Sequence, residues 1–222
     1  MGPLLLCCLF YIIGSFPTGH LVGKLHGITI ADHGSGNVGA TNLSRVLGKK
    51  AGLQTLAGDL LKGLLPLLIV EMFGYSLANL GCLGLFLVLG HCFSLPPYLK
   101  GGKGVATSLG VFLGLSPLLA LLAVVTFGIV MAAWRIVSLA SVTTALVIPI
   151  YAMLFYPVYY QPVVPWLMAI SAVVVYRHRD NLQRLILGQE KRFEFKRMAK
   201  PLNETVEAPD NSRPENTAKA AD

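Results

Sequence analysis

Charged residues are scarce in this chain of 222 residues: they make up 13% of the sequence, whereas 54% of it is hydrophobic. Soluble domains carry about 25% charged residues, so a shortage of this size disfavours a soluble protein. The mean hydropathy of +0.64 and several long apolar runs favour an integral membrane protein instead. At this length we expect one compact helical bundle rather than several domains.

Cysteine pairs and a cleavable leader are lacking too. The four cysteines lie in or beside apolar runs without Cys-x-x-Cys spacing: Cys7, Cys8, Cys82 and Cys92. This arrangement disfavours a disulfide framework or a zinc site. The first apolar segment has neither a basic stretch before it nor an Ala-x-Ala cleavage signal. We therefore expect it to stay in the protein as a membrane span rather than to act as a signal peptide.

Apolar runs predict about seven transmembrane helices. They cover approximately residues 3–23, 53–73, 76–95, 105–115, 117–133, 136–156 and 163–176. A full span needs about 20 residues, so the fourth and seventh runs are short. Pro117 divides a long apolar stretch into the fourth and fifth runs. The alternative is one continuous span with a proline kink, which gives six spans.

The placement of the basic residues favours seven spans. If the loop Lys24–Gly52 is cytoplasmic, every lysine and arginine falls on or near the inner surface, as the positive-inside tendency requires. Six spans would put the basic stretch "YRHRDNLQR" outside. We therefore expect the N-terminus outside and the C-terminus in the cytoplasm. The net charge of +7 then follows from topology and attraction to anionic lipid, and it needs no nucleic acid.

The end of the chain changes character. Residues 181–198 have the pattern of a short amphipathic helix on the inner face. Residues 199–222 are rich in Pro, Asn, Glu and Ala without an apolar period, which predicts a disordered cytoplasmic tail. The expected organisation is a polytopic membrane domain over residues 1–198, followed by this tail.

The stretch "GSGNVGATN", residues 34–42, combines three glycines with hydrogen-bonding side chains, and Arg45 follows it. Its Gly-x-Gly-x-x-Gly spacing is that of a dinucleotide-binding turn, but such a turn requires a preceding strand and a βαβ unit. Glycines let backbone amides approach an anion closely, and arginine suits bidentate contact with phosphate. An anion-binding loop and a simple connector both fit these residues.

Two further polar clusters are predicted on the same cytoplasmic side. In "KGGKGVATSLG", residues 100–110, glycines expose amides at a helix N-terminus beside Lys103, a setting that favours an anion. In "RHRDNLQRLILGQE", residues 177–190, His178 and Asn181 stand three positions apart on one helical face. The neighbouring arginines disfavour protonation of His178. The ordinary interpretations, snorkelling lysines at a flexible helix start and a basic membrane anchor, stay open.

Polar residues also occur inside the apolar runs. Asp59 and Lys62 form an i, i+3 pair near the inner end of the second helix. Charges at membrane depth are costly unless they are paired or functional, so a structural ion pair and a site-lining pair are both open. His91 is interpreted first as a satisfied polar group, although it lies close to the second cluster. The other histidines show no metal-ligand spacing, and no metal or cofactor is expected.

Together these stretches resemble the bacterial glycerol-3-phosphate acyltransferase family that uses acyl phosphate, the PlsY family. "GSGNVGATN" with Arg45, "GH" with "KGGKGVAT", and "HRDNLQRLILGQE" are similar to its three signatures, in order. "IGSFPTG" (residues 13–19) and "DLLKG" (residues 59–63) also match its usual pattern. The resemblance covers about residues 3–193. It departs from the family at Leu99, where an aromatic or basic pair is common, and in the longer tail.

The resemblance implies an enzyme that transfers a fatty acyl group from acyl phosphate to glycerol-3-phosphate. The products are lysophosphatidate (1-acyl-glycerol 3-phosphate) and phosphate, in phospholipid biosynthesis. The family does not use acyl-CoA or acyl carrier protein. The implied partners are the two substrates, membrane lipid and the soluble acyl-phosphate-producing enzyme PlsX. The implied location is the bacterial cytoplasmic (inner) membrane, with the active site at its cytoplasmic face.

Roles follow for the residues that match the signatures. The catalytic candidates are Ser35, Arg45, Lys103, His178 and Asn181. The substrate-binding candidates are Gly36, Asn37, Gly39, Thr41, Asn42, Gly101, Gly102, Gly104 and Arg184. The first stretch would bind acyl phosphate and the second would contribute to glycerol-3-phosphate binding, with the cations neutralising phosphate charge. The glycerol hydroxyl would attack the mixed anhydride directly, and either His178 or a phosphate oxygen of the donor would act as the base.

Two other chemistries are disfavoured, and one rival function stays open. No histidine is followed five positions later by aspartate, which argues against the H-x-x-x-x-D site of acyl-CoA-dependent enzymes. No carboxylate cluster is present to hold catalytic Mg²⁺. The rival is a small-anion transporter for phosphate or a phosphoester, because half-helix N-termini and glycine segments are transporter devices too. Transporter sites lie near the midplane between repeats, however, whereas these clusters gather at one surface.

Overall fold

The computed structural model describes residues 3–96, 100–155, 158 and 161–193. Across these residues the chain forms α-helices, two short 3-10 turns and loops, with no strand among them. The helices are α1 (Pro3–Gly14), α2 (Thr18–Leu25), α3 (Ala40–Leu47), α4 (Lys49–Glu71), α5 (Leu77–Cys92), α6 (Val105–Leu115), α7 (Pro117–Trp134), α8 (Val137–Phe155), α9 (Val164–Arg177) and α10 (Arg179–Ile186). The predicted tail, residues 199–222, lies outside the described residues.

The predicted apolar runs coincide with helical segments. Four are long and apolar enough to cross a membrane: Pro3–Leu25, Lys49–Glu71, Pro117–Trp134 and Val137–Phe155. Three are shorter: Leu77–Cys92, Val105–Leu115 and Gln161–Arg177. At 1.5 Å per residue, α6 reaches only about 16 Å, roughly half of a hydrocarbon core of about 30 Å. The protein is an all-α integral membrane protein, while the seven crossings and the orientation of its ends stay predictions.

Prolines mark two of the helix boundaries. The first predicted helix is interrupted between Gly14 and Thr18, where Pro17 lacks the N–H that a continuous helix would use. The predicted division before Pro117 is confirmed. Ser116 Oγ faces the Leu119 N–H at 3.5 Å, and Pro117 takes the first position of α7, where its missing N–H leaves nothing unsatisfied.

Two polar regions differ from the sequence prediction. The connector over residues 24–52 contains the amphipathic helix α3. The amphipathic helix predicted over residues 181–198 begins earlier and is shorter, because α10 ends at Ile186. Gly188 then adopts a φ of 69°, a left-handed conformation that commonly ends helices. Residues 194–198 lie outside the described residues.

Glycines allow the helices that carry the polar clusters to pack backbone to backbone. Gly63 of α4 lies against the backbone of Thr107, and Gly110 of α6 lies against that of Leu60. A Cβ on either glycine would overlap the neighbouring helix. α1 approaches α5 through Gly14 in the same way. Small residues are typical of membrane helix interfaces because lipid supplies no hydrophobic drive for association, so close packing has to provide it.

A small apolar cluster lies apart from the main core and supports the first polar stretch. Its buried members are Val22, Ile30, Val38, Leu43 and Ala51. Val38 belongs to "GSGNVGATN" itself, and it is 6% exposed. One apolar side chain thus anchors an otherwise polar loop to α2, α3 and the start of α4.

Candidate active site

The first glycine loop, residues 34–42, is held together by its own asparagines. Asn42 is 3% exposed, and its Oδ1 accepts a hydrogen bond from the Ser35 N–H at 2.9 Å. Its amide donates to the carbonyl oxygens of His33 at 3.0 Å and Asn37 at 2.8 Å. Asn37 Oδ1 accepts from the Gly39 N–H at 2.8 Å. Both asparagines therefore shape the loop, and their contact with a substrate stays a prediction.

Other residues of this loop stay accessible. Gly34 and Gly36 have φ values of 65° and 69°, a conformation that favours glycine. Ser35 is exposed at the turn, and Thr41 is half-buried at the start of α3. Arg45, one turn further along α3, is exposed. The Ser35 hydroxyl and the Arg45 guanidinium are thus available to a ligand.

The second glycine loop, Gly101–Gly104, leads into the N-terminus of α6. Gly104 has a φ of 85° and caps the helix, which confirms the predicted helix start at residue 105. Arg177 ties the loop down from α9: its Nε donates to the Gly102 carbonyl at 3.0 Å, and its Nη2 donates to the Gly101 carbonyl at 2.9 Å. The loop thus presents the positive end of a helix beside a fixed cation, the setting that favours an anion.

A chain of hydrogen bonds joins this loop to the third cluster. Lys103 Nζ donates to Asn181 Oδ1 at 2.5 Å, and the Asn181 amide donates to Glu190 Oε1 at 2.6 Å. Arg184 Nε pairs with Glu190 Oε2 at 2.7 Å. The Ser138 hydroxyl, at the start of α8, donates to Glu190 Oε1 at 2.8 Å. The second and third clusters, predicted separately, therefore meet.

Lys103 lies before α6, outside the apolar helices. Burial lowers the pKa of its ammonium group from 10.5 to about 8, and the positive charges of Arg184, Arg45 and Arg177 act in the same direction. The Glu190 carboxylate opposes them. Because Arg45 contributes, α3 brings its guanidinium close enough to act on Lys103. A crowded cation of this kind gains stability when an anion arrives.

Burial and hydrogen bonding also shift the pKa values of Glu190 and His178. Burial alone would raise the pKa of the Glu190 carboxyl, but the hydrogen bonds from Asn181, Arg184 and Ser138 outweigh it and lower the pKa. Burial lowers the pKa of His178 to about 4, against the effect of its hydrogen bond to the Val174 carbonyl. His178 is thus neutral and Glu190 ionised at pH 7.

The predicted site residues do not all belong to one hydrogen-bond network. Lys103, Asn181 and Arg184 share one network, and Arg45 acts on it through its charge. No hydrogen bond links Ser35 to Lys103 or Asn181 within the part of the chain that the structure describes. Sequence reasoning missed Arg177 as the tether of the second loop, since it read as one more basic residue of the third cluster.

Ser138 and Glu190 are two further residues of the network that the sequence did not predict. Ser138 gave no signal at all, because its partner stands 52 positions away. Glu190 stood in register with the third signature, yet it was not among the candidate site residues.

Comparison with known proteins decides the family. A family model described as glycerol-3-phosphate acyltransferase matches residues 4–188. The chain belongs to this family. Relatives named glycerol-3-phosphate acyltransferase include one from Trichlorobacter lovleyi, 46% identical over 187 residues (82% of this chain, 93% of the relative). Another, from Bacillus subtilis, is 43% identical over 192 residues (86% of this chain, 97% of the relative).

Solved structures agree with this assignment. Two crystal structures of PlsY (YgiH), described as an integral membrane glycerol 3-phosphate acyltransferase, superpose on this chain with TM-scores of 0.81 and 0.79 at 40% identity. Each covers 87% of this chain and 96% of the PlsY chain; one is a glycerol 3-phosphate form and the other a lysophosphatidic acid form. The predicted resemblance to the PlsY family is confirmed. The protein is therefore a multi-pass membrane acyltransferase.

Proposed function

We propose that this acyltransferase moves a fatty acyl group from acyl phosphate to glycerol-3-phosphate, forming lysophosphatidate and inorganic phosphate. The observation that carries the proposal is the hydrogen bond from Lys103 to Asn181. It brings the cation of the second glycine loop onto the third cluster at a helix N-terminus. Such preorganised donors and charges suit a reaction in which both substrates and the leaving group carry phosphate. The name of the relatives supports the acceptor, and the two PlsY forms support acceptor and product.

The reaction needs no covalent intermediate on the enzyme, because acyl phosphate is already a mixed anhydride. The hydroxyl oxygen of glycerol-3-phosphate attacks the acyl carbonyl carbon and forms the ester bond. The bond between that carbon and the bridging phosphate oxygen breaks, and inorganic phosphate leaves with the electron pair. The proton of the hydroxyl passes to a base. Lys103 and Arg45 neutralise phosphate charge, and Ser35 with the amides of the first glycine loop binds the donor phosphate.

A phosphate oxygen of the donor is the base we favour. The His178 Nδ1 lies 2.7 Å from the Val174 carbonyl, which can only accept, so Nδ1 carries the proton and Nε2 is free to accept a hydrogen bond. A pKa of about 4 makes this imidazole a weak base at neutral pH. His178 then orients the attacking hydroxyl, and Asn181 holds Lys103 in place.

The setting of the reaction is part of the proposal. The basic clusters and the positive-inside tendency support a site at the cytoplasmic face of the inner membrane. The soluble enzyme PlsX would supply acyl phosphate there. The acyl chain would lie between helices in the bilayer.

A donor comparison tests the proposal. The purified protein in detergent is given glycerol-3-phosphate with acyl phosphate, acyl-CoA or acyl carrier protein in turn, and lysophosphatidate is measured by mass spectrometry. Product from acyl phosphate alone is expected. Product from acyl-CoA alone would refute the proposal. Ester formation without a sealed compartment also separates an enzyme from a small-anion transporter, and Lys103→Met, which should lose most of the activity, serves as the matched control.

A further inference from the structure

Three sequence patterns without a role in the proposed reaction line one small, partly open chamber. They are "IGSFPTG" at the break between α1 and α2, "DLLKG" on α4, and "GH" at the end of α5. The chamber lies behind the second glycine loop, and the residues that line it include Thr18, Asp59, Lys62, His91 and Gly102. Polar groups inside a membrane bundle are costly to keep, which makes a functional role the first hypothesis.

A buried ion pair fixes one side of the chamber. Lys62 Nζ lies 2.9 Å from Asp59 Oδ1, and the two side chains are 8% and 4% exposed. Lys62 also donates to the Phe16 carbonyl at 2.9 Å, which belongs to the break between α1 and α2. A buried pair of this kind adds little net stability. Its effect here is geometric, because it holds α4, the α1–α2 break and the Asp59 carboxylate in one arrangement.

His91 connects that carboxylate to the second glycine loop. Its Nδ1 lies 3.5 Å from Asp59 Oδ1, an electrostatic contact rather than a hydrogen bond, and its backbone carbonyl accepts a hydrogen bond from the Gly102 N–H at 3.1 Å. The ring packs directly under Gly102: the three atoms nearest to a Cβ built on that glycine all belong to the His91 imidazole. His91 therefore supports Gly102 with both its backbone and its ring.

Gly102 is held from its other side as well. Arg177 Nε donates to the Gly102 carbonyl at 3.0 Å, so the residue is fixed between the end of α5 and the end of α9. The next residue is Lys103, whose ammonium group reaches Asn181. A shift of Gly102 would therefore move Lys103 and the amides at the start of α6 together.

We propose that His91, oriented by the Asp59 carboxylate, is a positioning residue that aims the second glycine loop and Lys103 at the phosphate of glycerol-3-phosphate. His91 touches no substrate and acts through Gly102. The proposal rests on the proposed function for the identity of the ligand. It explains why "GH" precedes "KGGKGVAT" and why an ion pair is buried behind it.

Two substitutions and their combination test the proposal. Gly102 is not among the glycines with positive φ, so the main obstacle to an alanine there is the His91 ring, which supplies the three atoms nearest to its Cβ. His91→Ala should raise KM for glycerol-3-phosphate about 10- to 100-fold, as small misplacements of a positioning group do, and leave KM for acyl phosphate unchanged. Gly102→Ala should abolish most activity. The double variant should be more active than Gly102→Ala, because the methyl group occupies the space that the ring leaves.

The controls separate positioning from folding. His26→Ala is matched, because His26 is exposed and its Nδ1 bonds only to the Val22 carbonyl of its own helix at 2.8 Å; its kinetics should equal those of the wild type. His91→Gln keeps a polar group in the chamber and should show the same KM change if His91→Ala fails to fold. A lower melting temperature with an unchanged KM would overturn the proposal, and so would a double variant no better than Gly102→Ala.

Failure of the proposed function gives a different result. If the wild type binds glycerol-3-phosphate by calorimetry but forms no lysophosphatidate from acyl phosphate, the proposed reaction is wrong. The calorimetric affinities of His91→Ala and the double variant then decide the positioning proposal. A wild type that does not bind glycerol-3-phosphate at all would overturn both.

Discussion

Lys103 donates a hydrogen bond of 2.5 Å to Asn181 across 78 positions of the chain. Glu190 fixes the direction of this bond, because it accepts from the Asn181 amide and so leaves Oδ1 facing the ammonium group. The Lys103 ammonium group is therefore held in one position with a carboxylate nearby. Burial nevertheless lowers its pKa, so the charged form is less favoured than in water. A phosphate group bound beside it would supply the counter-charge that the protein alone provides only in part.

Removal of the Lys103 charge should impair catalysis strongly. We expect Lys103→Met to lower kcat/KM about 100- to 1,000-fold, the usual effect of removing one group that stabilises developing charge. Lys103→Arg keeps the charge but not the point-like geometry, and should fall between this variant and the wild type. Lys24→Met, at an exposed lysine of α2, is the control. A Lys103→Met enzyme within threefold of wild type would contradict the assignment.

Activity should fall as the pH rises through about 8. The charged form of Lys103 binds phosphate, and its pKa in the free protein is lowered from 10.5 to about 8. Its charge is therefore present below that pH and lost above it. The pH profile of kcat/KM reports groups of the free enzyme. It should therefore show the decline in activity above this pH, the alkaline limb, directly. Lys103→Arg should lack the alkaline limb, because arginine has a pKa above about 12 and keeps its charge across this pH range. A limb that persists in that variant would belong to another group.

Glu190 should set the position of this limb. Its carboxylate raises the pKa of Lys103, so Glu190→Gln should move the alkaline limb of kcat/KM to a lower pH. The glutamine carbonyl can still accept from Asn181 and Ser138, which keeps the hydrogen-bond geometry. Glu71→Gln, at the exposed end of α4, should leave the limb in place. A limb that stays put or moves upward in Glu190→Gln would show that the two groups are not coupled.

Local signals account for the parts of the fold that sequence predicted. Apolar length located the helical segments, and Pro117 marked the boundary between α6 and α7, because both effects act within a few residues. The interruption at Pro17 was missed, since a proline inside an apolar run fits a kink as well as a break. α3 was missed because its eight residues are fewer than the window of about 11–18 residues over which helical periodicity is read.

The candidate site was predictable in composition and not in geometry. Glycines beside cations identified the three clusters, since anion binding needs those residue types. Asn42 was proposed as a ligand, whereas the structure engages its side chain within the loop. The contact of His91 with Gly102 could not be foreseen, because it depends on how α5 and α9 close around the loop.

The His178 side chain should orient the acceptor rather than remove its proton. General-base catalysis contributes about 10²- to 10⁴-fold. If His178 only accepts a hydrogen bond, His178→Gln should keep turnover within about tenfold of the wild type, because the glutamine carbonyl can accept in its place. Single-turnover kinetics with saturating substrates give this rate. A loss of 100-fold or more with an unchanged melting temperature would make His178 the base and exclude the donor phosphate.

Ser35 and Asn42 should differ in the kind of damage their loss causes. Ser35 is exposed and its hydroxyl is available, so Ser35→Ala should raise KM for acyl phosphate while the melting temperature stays constant. Asn42→Ala removes three part-buried hydrogen bonds within the loop, each of which contributes about 0.5–1.5 kcal/mol. Its main effect should be a lower melting temperature. If Ser35→Ala leaves donor use and turnover untouched, the first glycine loop is not the acyl-phosphate site. If Asn42→Ala instead keeps its stability and loses donor affinity, Asn42 contacts the substrate directly.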